Sequence, residues 1–213
     1  MIRRRKNADH HTVLIGLTGR YCAGKNHVAS LMEARGIPVL DVDVLGHACL
    51  ESLKEEVFAR FGNDLRREDG GLDRRALGRK VFGDGSALAD LEAIVHPEAN
   101  RRTLLWLAER EGKTCVINAA LLHKSSLFGR LDRIVVVCAP LWVRLLRAKR
   151  RDRLSWTELF GRFASQKGFP SQYPSGNADI YRVDNPRFGR GKRSQSRLDA
   201  EIDRVLADRD VRP

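Results

Sequence analysis

The chain has 213 residues, 42% hydrophobic and 31% charged, with a formal net charge of +12 and a pI near 10.1. This length and balance support one domain with inserted helical pieces around a full apolar core, and no apolar stretch approaches the roughly 18 residues of a membrane span. The positive excess points to a polyanionic partner, either nucleic acid or a phosphate-rich small molecule.

The first residues, 1–12, read as a basic tail carrying Arg3, Arg4, Arg5 and Lys6. No apolar segment of roughly 7–15 residues follows them, so a secretory leader is not expected and the protein is read as cytoplasmic. Four cysteines, Cys22, Cys49, Cys115 and Cys138, are scattered without a close pair or a zinc spacing, and reduced thiols are expected. Cys138 is expected in the core, and Cys22 is expected to be open to alkylation when no nucleotide is bound.

The first strand is predicted at Val13 to Leu17, feeding a turn with Gly19 and Gly24, then Lys25 and a helical pattern from about Asn26. The spacing Gly19-x-x-x-x-Gly24-Lys25 in strand–loop–helix context is that of a phosphate-binding loop, whose backbone N–H groups curl round an anion. Glycine is needed where the backbone takes positive φ or approaches the anion closely. The helix directs its positive dipole end at the same phosphate. Lys25 supplies a point charge, and Gly19, Cys22, Ala23, Gly24, Lys25, Asn26 and His27 are the candidate ATP-binding residues. Such a loop ordinarily closes with Ser or Thr, whose hydroxyl serves Mg²⁺. Here Asn26 stands instead, a good N-cap residue whose amide oxygen is the alternative ligand.

Apolar positions Val28, Leu31 and Met32 predict a helix that Gly36 ends. Val39 to Asp43 is predicted as a second strand running into the carboxylates Asp41 and Asp43. Strand, helix and strand form a βαβ unit in a parallel sheet, where ligands bind at the carboxyl ends of strands. Helices are predicted over Val44 to Phe61, Asp73 to Phe82 and Ala87 to Glu111, the last interrupted at His96-Pro97. Buried strands follow at Val116 to Ala120 and Ile134 to Cys138. A helix from Leu141 to Arg151 precedes Ser155-Trp156-Thr157-Glu158, a capping box opening a helix to about Gln166. Phe169 to Ser175 is read as a loop, Ile180 to Val183 as a last strand and Gln195 to Ala207 as a last helix. Charge concentrates in Arg144 to Arg153 and again in a loop from Arg187 to Arg193. The first cluster lies close to a strand end and suits closure over a triphosphate better than a duplex footprint.

With these residues in place, the sequence resembles the dephospho-coenzyme A kinase family from about Leu14 to about Leu206. The resemblance is carried by Leu17-Thr18-Gly19, by Gly36-Ile37-Pro38-Val39-Leu40-Asp41-Val42-Asp43, and by Gly71-Leu72-Asp73-Arg74-Arg75-Ala76-Leu77 with Val81-Phe82. Further along are Ile94-Val95-His96-Pro97, Leu121-Leu122, Leu145-Leu146-Arg147, Arg151-Asp152-Arg153-Leu154, Arg162-Phe163-Ala164-Ser165-Gln166, and Ala178-Asp179 before Asn185.

The resemblance implies an α/β fold: a P-loop NTPase-type parallel sheet flanked by helices, with an inserted helical substrate lobe (about 44–107) and an arginine-bearing lid (about 144–166). The domain would span 13–208, with its core in 13–43, 113–140 and 178–208. It implies transfer of the ATP γ-phosphoryl to the ribose 3′-hydroxyl of dephospho-coenzyme A, with Mg²⁺ entering as MgATP. Asp43, or else Asp41, would accept the hydroxyl proton, and Asp41 with Asn26 would serve the metal. Lys25 and the loop amides would hold the β- and γ-phosphates, Arg147 and Arg151 would offset charge on the transferring phosphoryl when the lid closes, and Arg74 and His96 would contact or shape the acceptor pocket. A monomer acting without nucleic acid or membrane is expected. Arg20, Asn26, His27 and the stretch Ala120-Leu121-Leu122-His123-Lys124 depart from the family pattern. Two other readings stay open: another P-loop kinase of small metabolites, or a homologue that binds ATP or coenzyme A with weak turnover because of Asn26.

Overall fold

The computed structural model describes residues 12–152, 154–164, 178–186 and 192–207. It divides into two compact units, one of Met1–Leu40 with Arg110–Pro213 and one of Asp41–Glu109. The tail over 1–11, the loop over 169–175, Ser165-Gln166 and most of the basic stretch 187–193 lie outside the described residues.

The first unit is built on a five-stranded sheet in the order β2-β3-β1-β4-β5. Its strands are β1 (Leu14–Gly19), β2 (Val39–Asp41), β3 (Cys115–Asn118), β4 (Arg133–Cys138) and β5 (Asp179–Asp184). Strand β1 runs parallel to β3 and β4, with Leu17 opposite Asn118 on one side and Val135 on the other. Strand β4 runs parallel to β5. Every residue of β1 is buried, as a central parallel strand covered on both faces requires.

Helix α1 (Lys25–Glu33) returns the chain after β1, and the last helix is α8 (Lys192–Ala207). Val28 and Met32 of α1 share one core with Ile15 and Leu17 of β1 and with Leu198, Ile202 and Val205 of α8. Arg35, just past α1, ties down α8 by ion pairs to Asp199 at 2.9 Å and Asp203 at 2.6 Å. Two further helices, α6 (Leu141–Asp152) and α7 (Trp156–Ala164), follow β4.

The second unit contains α2 (Val42–Ser52), α3 (Lys54–Phe61), α4 (Arg74–Val81) and α5 (Gly85–Ala108). Val57, Phe58, Leu65, Leu72, Leu77 and Val81 form its own core.

The structure corrects several sequence expectations. The second strand stops at Asp41, because the Asp41 carboxylate accepts the Val44 N–H at 3.0 Å and so caps α2. Asp43 therefore lies in the first turn of α2 and not on a strand. The predicted helix from Val44 to Phe61 is two helices, divided at Leu53. His96-Pro97 does not interrupt α5, which runs unbroken through Pro97. A proline removes one N–H from the ladder, while the helix around it continues from a start at which Asp84 accepts the Ser86 and Ala87 N–H groups. Helix α8 begins earlier than expected, so Lys192 and Arg193 belong to it and not to a loop. Cys138 is only partly buried.

Candidate active site

Strand β1 delivers the chain to the glycine loop with almost no space beside it. A Cβ on Gly19 would stand 2.8 Å from the Val137 carbonyl oxygen, so the strand can pass β4 only as glycine. Beyond it, the Ala23 N–H closes a tight turn onto the Arg20 carbonyl at 2.9 Å. Cys22 takes φ 59° and Gly24 φ 99°. Alternation of left-handed with ordinary residues is how successive amides are made to converge on an anion. A non-glycine residue at positive φ is a strained choice of the kind that clusters at ligand sites. Gly24 is the N-cap of α1, and Lys25 is its first residue.

The carbonyls of this loop are held from α6 and the end of β5. Arg144, 4% exposed, donates through Nε to the Tyr21 carbonyl at 2.9 Å. Arg147 Nη1 donates to the Ala23 carbonyl at 2.9 Å and its Nη2 to Asn185 Oδ1 at 3.2 Å. Asn185, itself buried, donates from Nδ2 to the Ala23 carbonyl at 3.0 Å. A planar peptide points its C=O and N–H in opposite directions. Anchoring the Tyr21 and Ala23 carbonyls against α6 therefore turns the Cys22 and Gly24 N–H groups away from it, the orientation an anion cradle needs. Burial pushes the Arg144 and Arg147 guanidiniums below their usual range. Burial pushes the Cys22 thiol up, against the opposing pull of Arg151, Arg144, Arg147 and Arg162.

The remaining sequence candidates fall as follows. Asn26 and His27 are exposed in the first turn of α1, and Asn26 Oδ1 lies 3.4 Å from Asn118 Nδ2 at the end of β3. Mg²⁺ takes oxygen ligands and is usually held by one or two side chains with substrate phosphates and water. The Asn26 amide oxygen is a donor of that type, so the loop fits a metal that arrives with a triphosphate. Arg151 pairs with Asp152, Nε to Oδ1, at 2.7 Å. Asp41, Asp43, Arg74 and His96 belong to the second unit. There Arg74 is the exposed first residue of α4, and His96 is exposed midway along α5. The Asp73 carboxylate caps α4 by accepting the Arg75 and Ala76 N–H groups, so the local sequence opens that helix at Arg74.

Sequence reasoning gave no role to Arg144, Asn118 or Asn185 as loop supports. A buried Asn one residue beyond a strand is a signal of that kind, since such an amide needs partners, but burial is not legible before the sheet order is known. Tyr21 was likewise passed over, although a large aromatic in a glycine loop stands out by size alone.

A family model for dephospho-CoA kinase matches residues 13–175. The chain belongs to the dephospho-CoA kinase family. Relatives carrying that name include one from Treponema pallidum, 37% identical over 81% of this chain and 86% of its own. Another, from Anaeromyxobacter dehalogenans, is 38% identical over 92% of this chain and 91% of its own. Among solved structures, a Thermus thermophilus protein superimposes with a TM-score of 0.74 at 34% identity, covering 92% of this chain and 97% of that one. A dephospho-CoA kinase from Campylobacter jejuni has the same fold, with a TM-score of 0.58 at 22% identity, covering 92% of this chain and 96% of its own. The expected α/β fold, a parallel sheet with flanking helices and P-loop kinase relatives, is thereby established. Family membership also places the chain among phosphotransferases that use ATP.

Proposed function

We propose that the protein is a dephospho-CoA kinase, passing the γ-phosphoryl of ATP to the ribose 3′-hydroxyl of dephospho-coenzyme A as the last step of coenzyme A synthesis. The observation that supports this most is the glycine loop of a chain in this family, with its carbonyls anchored by Arg144 and Arg147 and Lys25 opening α1.

In phosphoryl transfer the protein does little covalent work, so positioning and charge stabilisation dominate. Loop amides and Lys25 hold the β- and γ-phosphates. Asn26 and Asp41 are the residues that would hold Mg²⁺ arriving with ATP, which would supply charge neutralisation at the phosphates. The 3′-oxygen forms a bond to the γ-phosphorus, the bond to the β-phosphate oxygen breaks and ADP leaves. The hydroxyl proton passes to a carboxylate. We assign that role to Asp43, with Asp41 as the alternative. Arg147 acts by holding the loop, and Arg151 offsets charge on the transferred group. We assign the unit Asp41–Glu109 to acceptor binding, with Arg74 and His96 as its contacts, and the α6–α7 segment to the lid. The protein is read as a cytoplasmic monomer that needs neither nucleic acid nor membrane. Among the described residues no helix is long and apolar enough to cross a membrane.

The test is ADP release from MgATP with and without dephospho-coenzyme A, joined to mass analysis of the acceptor. Acceptor-dependent ADP with a 3′-phosphorylated product is expected; release that ignores the acceptor would refute the assignment.

A further inference from the structure

Tyr21 has no part in the chemistry described above, yet its side chain is engaged by several residues of α6 and α7. Its ring meets Phe163 of α7 edge to face, with centroids 5.4 Å apart and an interplanar angle of 75°. The Arg151 guanidinium lies over the same ring at 5.2 Å and that of Arg162 at 5.9 Å. The hydroxyl donates to the Asp152 carboxylate and accepts from Arg162 Nη1 at 3.5 Å. Asp152 in turn accepts from Arg151 Nε at 2.7 Å and Nη2 at 3.1 Å. The Tyr21 backbone is fixed as well, since Arg144 holds the Tyr21 carbonyl at 2.9 Å while stacking on Phe163 at 4.8 Å.

We propose that Tyr21 is a positioning residue that sets two arginines of the α6–α7 segment, Arg151 and Arg162, beside the phosphate-binding loop. The ring is their platform, and the bond from its hydroxyl to Asp152 is the brace. The proposal rests on the phosphoryl-transfer reading given above. A free arginine side chain samples many rotamers and loses that freedom when it engages an anion. A cation held against an aromatic face and paired with a carboxylate has already lost most of it. Two guanidiniums against one ring repel each other, and Asp152 is the carboxylate that offsets this. Because Tyr21 is itself a loop residue, the arginines are referenced to the same backbone that would hold the phosphates. Acting on the charge of the transferred group, they contribute to turnover more than to ground-state affinity.

The test is steady-state kinetics of the full chain with MgATP and dephospho-coenzyme A for wild type, Tyr21→Phe, Tyr21→Leu, Asp152→Asn, Arg151→Ala and the Tyr21→Leu/Arg151→Ala double variant. Tyr21→Leu is expected to lower kcat about tenfold with KM for ATP within about threefold. Tyr21→Phe, which keeps the platform, recovers most of that loss, and Asp152→Asn, which keeps the ring, costs about threefold in kcat. The double variant is expected to lose clearly less than the product of the two single losses, because Tyr21 acts through Arg151. Unchanged kcat in Tyr21→Leu, a loss confined to KM, or multiplicative losses in the double variant would overturn the proposal. Should Tyr21→Leu not fold, unchanged kcat in Asp152→Asn overturns it. An inactive wild type would overturn the kinase reading itself, and so separates the two failures.

Discussion

Arg147 Nη1 and Asn185 Nδ2 both donate to the Ala23 carbonyl, at 2.9 Å and 3.0 Å, and Arg147 Nη2 closes the triangle on Asn185 Oδ1 at 3.2 Å. The glycine loop is therefore shaped from its carbonyl side by residues more than 100 positions away in the chain. Its anion-binding geometry is a tertiary property as much as a property of its own spacing.

Arg147→Ala is expected to cost about 2–3 kcal/mol of stability, because charged hydrogen bonds to partly buried carbonyls are lost. Arg147→Lys recovers only part of this, since an ammonium cannot reproduce the fork that spans Ala23 and Asn185. Chemical denaturation reads both. An Arg147→Ala variant as stable as wild type would remove Arg147 from the loop's support.

Gly24→Ala meets two obstacles. The residue takes φ 99°, and its Cβ would lie 2.1 Å from Asn185 Nδ2. A left-handed conformation alone costs a non-glycine residue about 1–2 kcal/mol, and displacing Asn185 removes one of the two donors to the Ala23 carbonyl. Calorimetric ATP titration should show at least about a tenfold loss of affinity.

The two aspartates are expected to separate by chemistry. Asp41→Asn keeps the α2 cap and its stability, whereas Asp41→Ala costs about 1 kcal/mol. Asp43→Asn, lacking a proton acceptor, is expected to lower kcat about 10²–10⁴-fold without a comparable loss of ATP affinity. Near-normal turnover in Asp43→Asn would move the base elsewhere.

Cys22 carries a thiol pushed above its ordinary value by burial, so at neutral pH it is held protonated and reacts slowly. Labelling with iodoacetamide followed by mass spectrometry should find Cys22 modified more slowly than a free thiol at pH 8, with the rate climbing above pH 9.

Glu98 is paired with both Arg101 and Arg102, at 2.7 Å and 2.6 Å, and these partners draw its carboxyl down to about 2. A carboxyl depressed in the folded state contributes stability above its ordinary value of 4.5 and loses that contribution as pH falls toward 2. Glu98→Gln should therefore narrow its gap from wild type in acid, as followed by thermal unfolding between pH 6 and pH 3.

The fold was legible where local pattern and tertiary demand agree. The apolar run Val13 to Leu17, found as β1 over Leu14–Gly19, the glycine spacing and the strand–helix alternation led directly to a parallel sheet. The Ser155–Glu158 capping box stands as expected, with the Ser155 N–H donating to Glu158 Oε2 at 2.8 Å. Boundaries were misjudged where one side chain decides them: Asp41 ends a strand because it caps a helix, and no apolar periodicity records that. The supports of the loop were illegible for another reason. Arg144 reads in sequence as one member of a basic cluster suited to closing over a triphosphate, and only the close approach of α6 to the loop makes it a buried donor. Strand order determines which distant Asn lies beneath Ala23, and spacing along the chain does not.

The most direct measurement is acceptor-dependent ADP release with MgATP and dephospho-coenzyme A, wild type beside Asn26→Ser. Turnover is expected in wild type, with the acceptor phosphorylated at the 3′-position, and activity of similar size or greater in Asn26→Ser. No acceptor-dependent ADP from either protein would contradict the kinase reading. Silence in wild type with activity in Asn26→Ser would contradict the assignment of Asn26 as a working metal ligand.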